Sequence, residues 1–342
     1  MLLSVVLPTN KINNQADLAQ LSEIHTRVKS VSPDYVFSKE FSSLSDSFLN
    51  KTNHVLAPTL DALSKQTFKD FEVLLCHKFP EDAEELVNNY SNLMNIRVIK
   101  EKPSIWHDLG NYPTVNSIRN TGILHSKGEL LVFLDDCTIF NQNLLQDIWN
   151  EYQNGFYTTA KAIRRIRYEP KAVQQQINAR EIIVDKDIRG SNNFFKSGIG
   201  DEIPISASWT YCTSVSLKET LKLGGFEEIW DGSFGGTDAD FGRRLGMISR
   251  FRRKLIGNIY EFSLSKGNPK RKIRDDEALR FICGQIPVPQ VIRANTWKPT
   301  KEQLDKYSEW HKKNLGDLDE NWDKLVDVKM FDMKEEWKKI NE

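Results

Sequence analysis

Four short, almost uninterrupted apolar runs constrain this chain most strongly, at residues 2–7, 71–76, 96–100 and 129–134. Each is too short for a stable helix, and all but 96–100, which carries Arg97 and Lys100, are apolar on both alternating faces. That is the pattern of a strand covered on both sides in a parallel sheet. Residues 55–64, 81–93 and 114–125 lie between the runs and carry helical spacing. Strands alternating with helices predict an α/β layer fold with a parallel sheet. Further along, the pattern predicts a helix at 144–152, a strand at 205–216 and a short helix at 217–223 stopped by Gly224-Gly225. A helix from about Phe241 and a strand at 254–263 complete this part.

The chain has 342 residues, with 47 basic and 47 acidic side chains. Zero net charge supplies no overall field toward nucleic acid, so no nucleic-acid partner is expected. Basic clusters at 161–167, 243–254 and 270–274 read as solvated helix faces. Cysteines 76, 137, 212 and 283 form no CxxC pair. Most sit in apolar runs, which suits reduced, buried thiols and a cytoplasmic location. No segment is apolar for long enough to span a bilayer. Residues 180–205 read as a loop. Trp297, Trp310, Trp322 and Trp337, set among Lys and Glu residues, predict a helical C-terminal extension that packs indoles on the main domain.

Ligands of open parallel sheets bind beyond the carboxyl ends of the strands. Three groups fall there: Pro8-Thr9-Asn10, His77-Lys78 and Asp135-Asp136. Adjacent carboxylates after the most apolar strand are costly unless a cation or strong donors offset them. A divalent metal shared with substrate phosphates would do so; a plain turn is the alternative. Asp238 and Asp240 follow Gly235-Gly236-Thr237 at a helix start, where capping explains acids well. Residues two apart on a helix do not share a face, so only one of the two can point into a cleft. The other is free to cap the helix or to pair with Arg243 or Arg244. Arg119-Asn120 sits mid-helix, where an arginine reaches either a phosphate or a surface carboxylate. Trp209 is either a sugar-stacking platform or core. His107 and His125 read as structural.

Four segments in order carry a resemblance. They are SVVLPTN (4–10), LDALSKQTFKDFEVLLC (60–76), SIRNTGILHSKGELLVFLDDC (117–137) and LGGFEEIWDGSFGGTDADFGRRL (223–245). Together they resemble the inverting nucleotide-sugar glycosyltransferases of family 2, which have the GT-A fold. The resemblance implies a Rossmann-like, mixed but mostly parallel sheet flanked by helices. The glycosyltransferase domain would span residues 1–265, with an insertion at about 11–54 and a helical C-terminal extension at 266–342.

The resemblance also implies roles. Asp238 takes the place of the base that deprotonates the acceptor hydroxyl. Gly235 and Gly236 let backbone approach the acceptor, with Trp209 and Asp240 nearby. Pro8, Thr9, Asn10, Arg119 and Asn120 would face the nucleotide-sugar donor, of UDP or GDP type. Asp135 would meet ribose or metal, and Asp136 would hold Mn²⁺ or Mg²⁺ against the leaving diphosphate. Glu261 stands where relatives place a late metal-binding histidine. The acceptor would be a glycan, a lipid-linked sugar or another hydroxyl compound.

The chain departs from the family pattern at His77-Lys78, where an acid usually grips the base. It departs again at Cys137, where the acidic motif usually ends in Asp, and at Thr237, where Glu is usual. Two other functions fit the same segments: a sugar-nucleotide or glycan-binding module without turnover, and a nucleotidyltransferase. The absence of a Gly-rich, basic phosphate loop after the first strand counts against the latter.

Overall fold

In the computed structural model, the described residues are 1–9, 56–104, 114–136, 138–167, 197–208, 211–228, 231, 237–263, 301, 302, 305, 309 and 332–342. The insertion at about 11–54, most of the 180–205 loop, and Cys137, Cys283, Trp297, Trp310 and Trp322 lie outside them, as does the 270–274 cluster.

A nine-stranded mixed sheet organises the chain. Its first half is parallel: β3 (Asn95–Lys100), β2 (Phe71–His77), β1 (Leu3–Pro8) and β4 (Leu130–Leu134), side by side in that order. Every residue of β2 and β4 is buried, which explains why the sequence runs are apolar without alternation. The second half is mixed. β8 (Cys212–Ser216) runs antiparallel between β4 and β6 (Phe156–Arg167), and β6 pairs in parallel with β9 (Arg252–Ser263). β5 (Thr138–Ile139) and β7 (Glu202–Ile203) add antiparallel to β9.

The helices follow the expected alternation. They are α1 (Ala57–Ser64), α2 (Glu84–Asn88), α3 (Val115–His125), α4 (Leu144–Gln153), α5 (Leu217–Leu223) and α6 (Thr237–Ile248). Gly224 ends α5 in the left-handed conformation, φ 78°, as a glycine after a helix should. The turn from α3 into β4 needs Gly128. A Cβ there would meet the backbone of Leu3 and Ser4 at 2.5 Å, which any side chain forbids. Cys76 and Cys212 are free and buried. Among the described residues no helix is long and apolar enough to cross a membrane.

Four expectations are corrected. Residues 161–167 are not a helix face; they end strand β6. In the 243–254 cluster, Arg244 and Arg253 are fully buried, not solvated. The helix predicted at 81–93 is shorter, a 3₁₀ turn (Pro80–Ala83) followed by α2. The strand predicted at 205–216 begins only at Cys212. Upstream, the carbonyl of Ile205 accepts from Arg253 Nε (3.1 Å) and that of Ala207 from Thr159 Oγ1 (2.9 Å). Carbonyls claimed by side chains do not join a ladder.

The C-terminal helix α7 (Met333–Asn341) packs against α3. Trp337 Nε1 donates to the Ser126 carbonyl (2.9 Å) and Asn341 Nδ2 to that of Leu124 (2.8 Å). Both acceptors stand at the end of α3, where carbonyls lack helical partners.

Candidate active site

The site starts from main-chain geometry. β1 and β4 are parallel neighbours, so Thr9 and Asp136 emerge together at one sheet edge. Thr9 Oγ1 donates to Asp136 Oδ2 at 2.8 Å. Thr59 in α1 holds the following turn by donating to the carbonyls of Asp136 (3.2 Å) and Thr138 (2.9 Å). The Asp135 N–H bonds to the Tyr211 carbonyl (3.0 Å), tying the acid to the strand beside β4. Asp136 is buried, while the Asp135 side chain is 30% exposed. The two acids therefore divide, one facing inward and one facing solvent. Pro8 ends β1 beside them, and His77 ends β2 with Nδ1 accepting from the Phe79 N–H (3.0 Å).

Helix α6 begins at Thr237 rather than at Phe241, which puts Asp238 and Asp240 in its first turn, favourable for anions. As their spacing requires, the two diverge. Asp240 pairs with Arg244 one turn along (2.8 Å), and Arg244 also donates to the carbonyls of Leu223 and Gly225. Asp238 remains 29% exposed and faces Arg119. An aromatic trio fixes the helix to β4: Phe133, Phe226 and Phe241 pack with centroids 4.3 to 6.2 Å apart.

Arg119 projects from α3 between the two exposed acids. Its guanidinium lies 3.4 Å from Asp238 and 3.7 Å from Asp135, and it packs over the Phe226 ring at 5.3 Å. Its neighbour Asn120 joins α3 to the segment at Phe226 and Glu228. It exchanges two hydrogen bonds with the Phe226 backbone, and its amide also donates to Glu228 (2.8 Å).

Several residues here had escaped notice in the sequence. Asp231 is buried and accepts the N–H groups of Asn116 (2.7 Å) and Ser117 (3.0 Å), capping α3 from 114 residues away. Burial pushes its pKa well up. Glu228 pairs with Lys102 at 2.7 Å. Glu101 is buried beside Thr114 and Ser117, and burial pushes its pKa up to about 7. Glu228 and Asp231 lie within the 223–245 segment, but nothing local to it marks their partners, which come from α3 and the residues before it.

Asn10, Trp209, Gly235 and Gly236 lie outside the described residues. Of Glu261 only the backbone is described; it sits in β9 opposite Thr138, one strand across from the acidic turn. Among the described residues no cluster of three metal-binding side chains stands together. Asp135 and Asp136 do supply adjacent hard oxygens, and one or two carboxylates plus substrate phosphates are a common Mg²⁺ arrangement. The residues present fit such an ion.

The parallel half-sheet thus ends in paired acids, and the acid-bearing start of α6 faces them through Arg119. Residues 47–207, a little under half of the chain, match the family described as Glycosyl transferase family 2. Arg119, Asn120, Asp135 and Asp136 fall within the match; Thr9 and Asp238 flank it. No curated protein sequence matches the chain. Among solved structures the chain is similar to S. aureus TarS 1-349, at 14% identity and TM-score 0.48, over 92% of this chain and 74% of that one. The same protein in complex with UDP-GlcNAc matches over 95% and 70%, with 14% identity and TM-score 0.48. GalNAc-T7 with UDP, GalNAc and Mn²⁺ matches at 11% identity and TM-score 0.48, over 91% of this chain and 55% of that one.

Proposed function

We propose that this protein transfers a sugar from a nucleotide-diphosphate donor of UDP or GDP type to an acceptor hydroxyl, with inversion at the anomeric carbon. The observation that carries this reading is Arg119, which reaches both the strand-end acid Asp135 and the helix acid Asp238. Donor edge and base helix therefore border one cleft.

In this reading Asp238 accepts the acceptor's proton as the hydroxyl oxygen attacks the anomeric carbon. The bond from that carbon to the diphosphate breaks on the opposite face. A part-exposed carboxylate in the first turn of a helix is a group that can accept a proton from a bound hydroxyl. Asp135 and Asp136 would hold Mn²⁺ or Mg²⁺, which supplies charge neutralisation of the leaving diphosphate. Thr9 orients Asp136 for that task, and Pro8, Thr9 and Asn10 border the donor. The 235–236 glycines and Trp209 belong to the acceptor side, where a glycan, lipid-linked sugar or other hydroxyl compound would bind. In this reading the catalytic domain is residues 1–265, followed by an extension at 266–342 whose helix Met333–Asn341 packs on α3. Buried thiols at Cys76 and Cys212 suit a reducing, cytoplasmic setting.

The test is transfer by Asp238→Asn, alongside calorimetric binding of the nucleoside diphosphate with Mn²⁺. Transfer should collapse while binding persists. An unchanged transfer rate removes Asp238 from the base role.

A further inference from the structure

We infer that Arg119 is a positioning residue that couples occupancy of the Asp135 side to the arrangement of Asp238. This rests on the proposed function for its biological meaning, but the coupling itself is a property of three side chains.

The guanidinium is 8% exposed and stands between two carboxylates that are each about one-third exposed, at 3.7 and 3.4 Å. Both distances exceed the 2.7–2.9 Å typical of a committed charge-assisted bond. The cation is thus shared between the acids and locked to neither. Its stem cannot wander, because α3 is anchored on both sides of it. Asp231 caps the helix start, and Asn120 is bonded to the Phe226 backbone. The Phe226 ring floors the guanidinium, and Arg119 Nε is buried with no hydrogen-bond partner among the described residues.

A shared cation responds to whatever else binds its partners. A divalent ion at Asp135 repels the guanidinium and competes for the same oxygen, so Arg119 shifts its hold toward Asp238. The base carboxylate is then pinned in one orientation. Conversely, removing the Asp238 charge leaves Arg119 committed to Asp135 and opposed to the ion. Linkage makes the two effects reciprocal. The device orders the base when the donor side fills, before an acceptor arrives.

The experiment titrates Mn²⁺ alone into the full chain by calorimetry, using wild type, Arg119→Gln, Arg119→Lys, Asp238→Asn and the double variant Arg119→Gln/Asp238→Asn. Arg119→Gln should bind Mn²⁺ about 5-fold more tightly or better, and Asp238→Asn about 5-fold more weakly. The Asp238→Asn effect should vanish when Arg119 is already Gln and survive in part when it is Lys. A purely structural arginine would not transmit a change at Asp238 to the metal. Equal Mn²⁺ affinities across the single variants, or weaker binding by Arg119→Gln, would overturn the coupling.

A second measurement needs neither metal nor activity. Equilibrium unfolding of the Arg119→Gln and Asp238→Asn single and double variants should show non-additivity of about 3-fold or more in the unfolding constant. Additive effects overturn the bridge. Loss of the metal reading alone would appear as a wild type that binds no Mn²⁺ yet keeps this non-additivity. Loss of the base assignment alone would appear as Asp238→Asn retaining transfer.

Discussion

The strand-end edge that we propose meets the donor (the donor edge) and the side that we propose carries the base, at the start of α6, face each other through Arg119 but are held in different ways. At the donor edge, parallel strands place the acids. Asp135 and Asp136 follow β4 and are held by a main-chain bond to Tyr211 and the hydroxyls of Thr9 and Thr59, with Arg119 3.7 Å from Asp135. The base side rests instead on buried ionisable groups: Arg244 against Asp240 in α6, Asp231 under the start of α3, and buried Glu101 near the part-buried Lys102–Glu228 pair. Buried pairs add little net stability when intact but cost heavily when halved. The donor edge should therefore tolerate polar substitution, and the base side should not.

The largest expected effect is catalytic. Asp238→Asn should lower the transfer rate about 100- to 10,000-fold, the usual worth of a positioned base, in a single-turnover assay. Next comes Arg244→Ala, which strands the buried Asp240 carboxylate and frees the Leu223 and Gly225 carbonyls. It should cost about 3–5 kcal/mol in urea unfolding. A cost near zero would dissolve the contrast between the two regions.

A smaller effect depends on pH. Burial keeps Glu101 protonated in the folded chain up to about 7, against 4.5 ordinarily. Between those values the folded state holds a proton that the unfolded chain has released. Stability should therefore fall as pH rises from 4.5 to about 7 and level off above, by at most about 3 kcal/mol from this group. Unfolding midpoints of Glu101→Gln, measured over pH 4.5–7.5, should lose that slope. Smallest is Thr9→Val at the donor edge, where one hydroxyl donor to Asp136 is lost. It should cost about 1 kcal/mol. A Thr9→Val penalty as large as that of Arg244→Ala would equalise the two regions.

Much of the parallel half was legible from sequence. Strands buried on both faces are continuous apolar runs, and the groups after them must share one edge. β6 was missed for the opposite reason. Its Tyr157-Thr158-Thr159 core is buried yet polar, held by bonds to Ser214, Ser216 and Thr213. No apolar run marks it. Buried Arg244 and Arg253 were likewise misread as surface charge, because a sequence shows charge but not the carbonyls that satisfy it. Arg253 meets the Ile205 and Thr158 carbonyls and the hydroxyls of Thr159 and Thr213.

The sequence by itself determined the alternating layers and the strand-end position of Asp135 and Asp136, through its apolar runs, and that Asp238 and Asp240 must part, through helical spacing. Only the tertiary structure decided which acid turns inward, that Asp240 belongs to Arg244, and that Arg119 stands between Asp135 and Asp238. The Arg119–Asp238 contact joins residues more than a hundred positions apart, and even for near neighbours local pattern carries no information about which charges will be buried beside which.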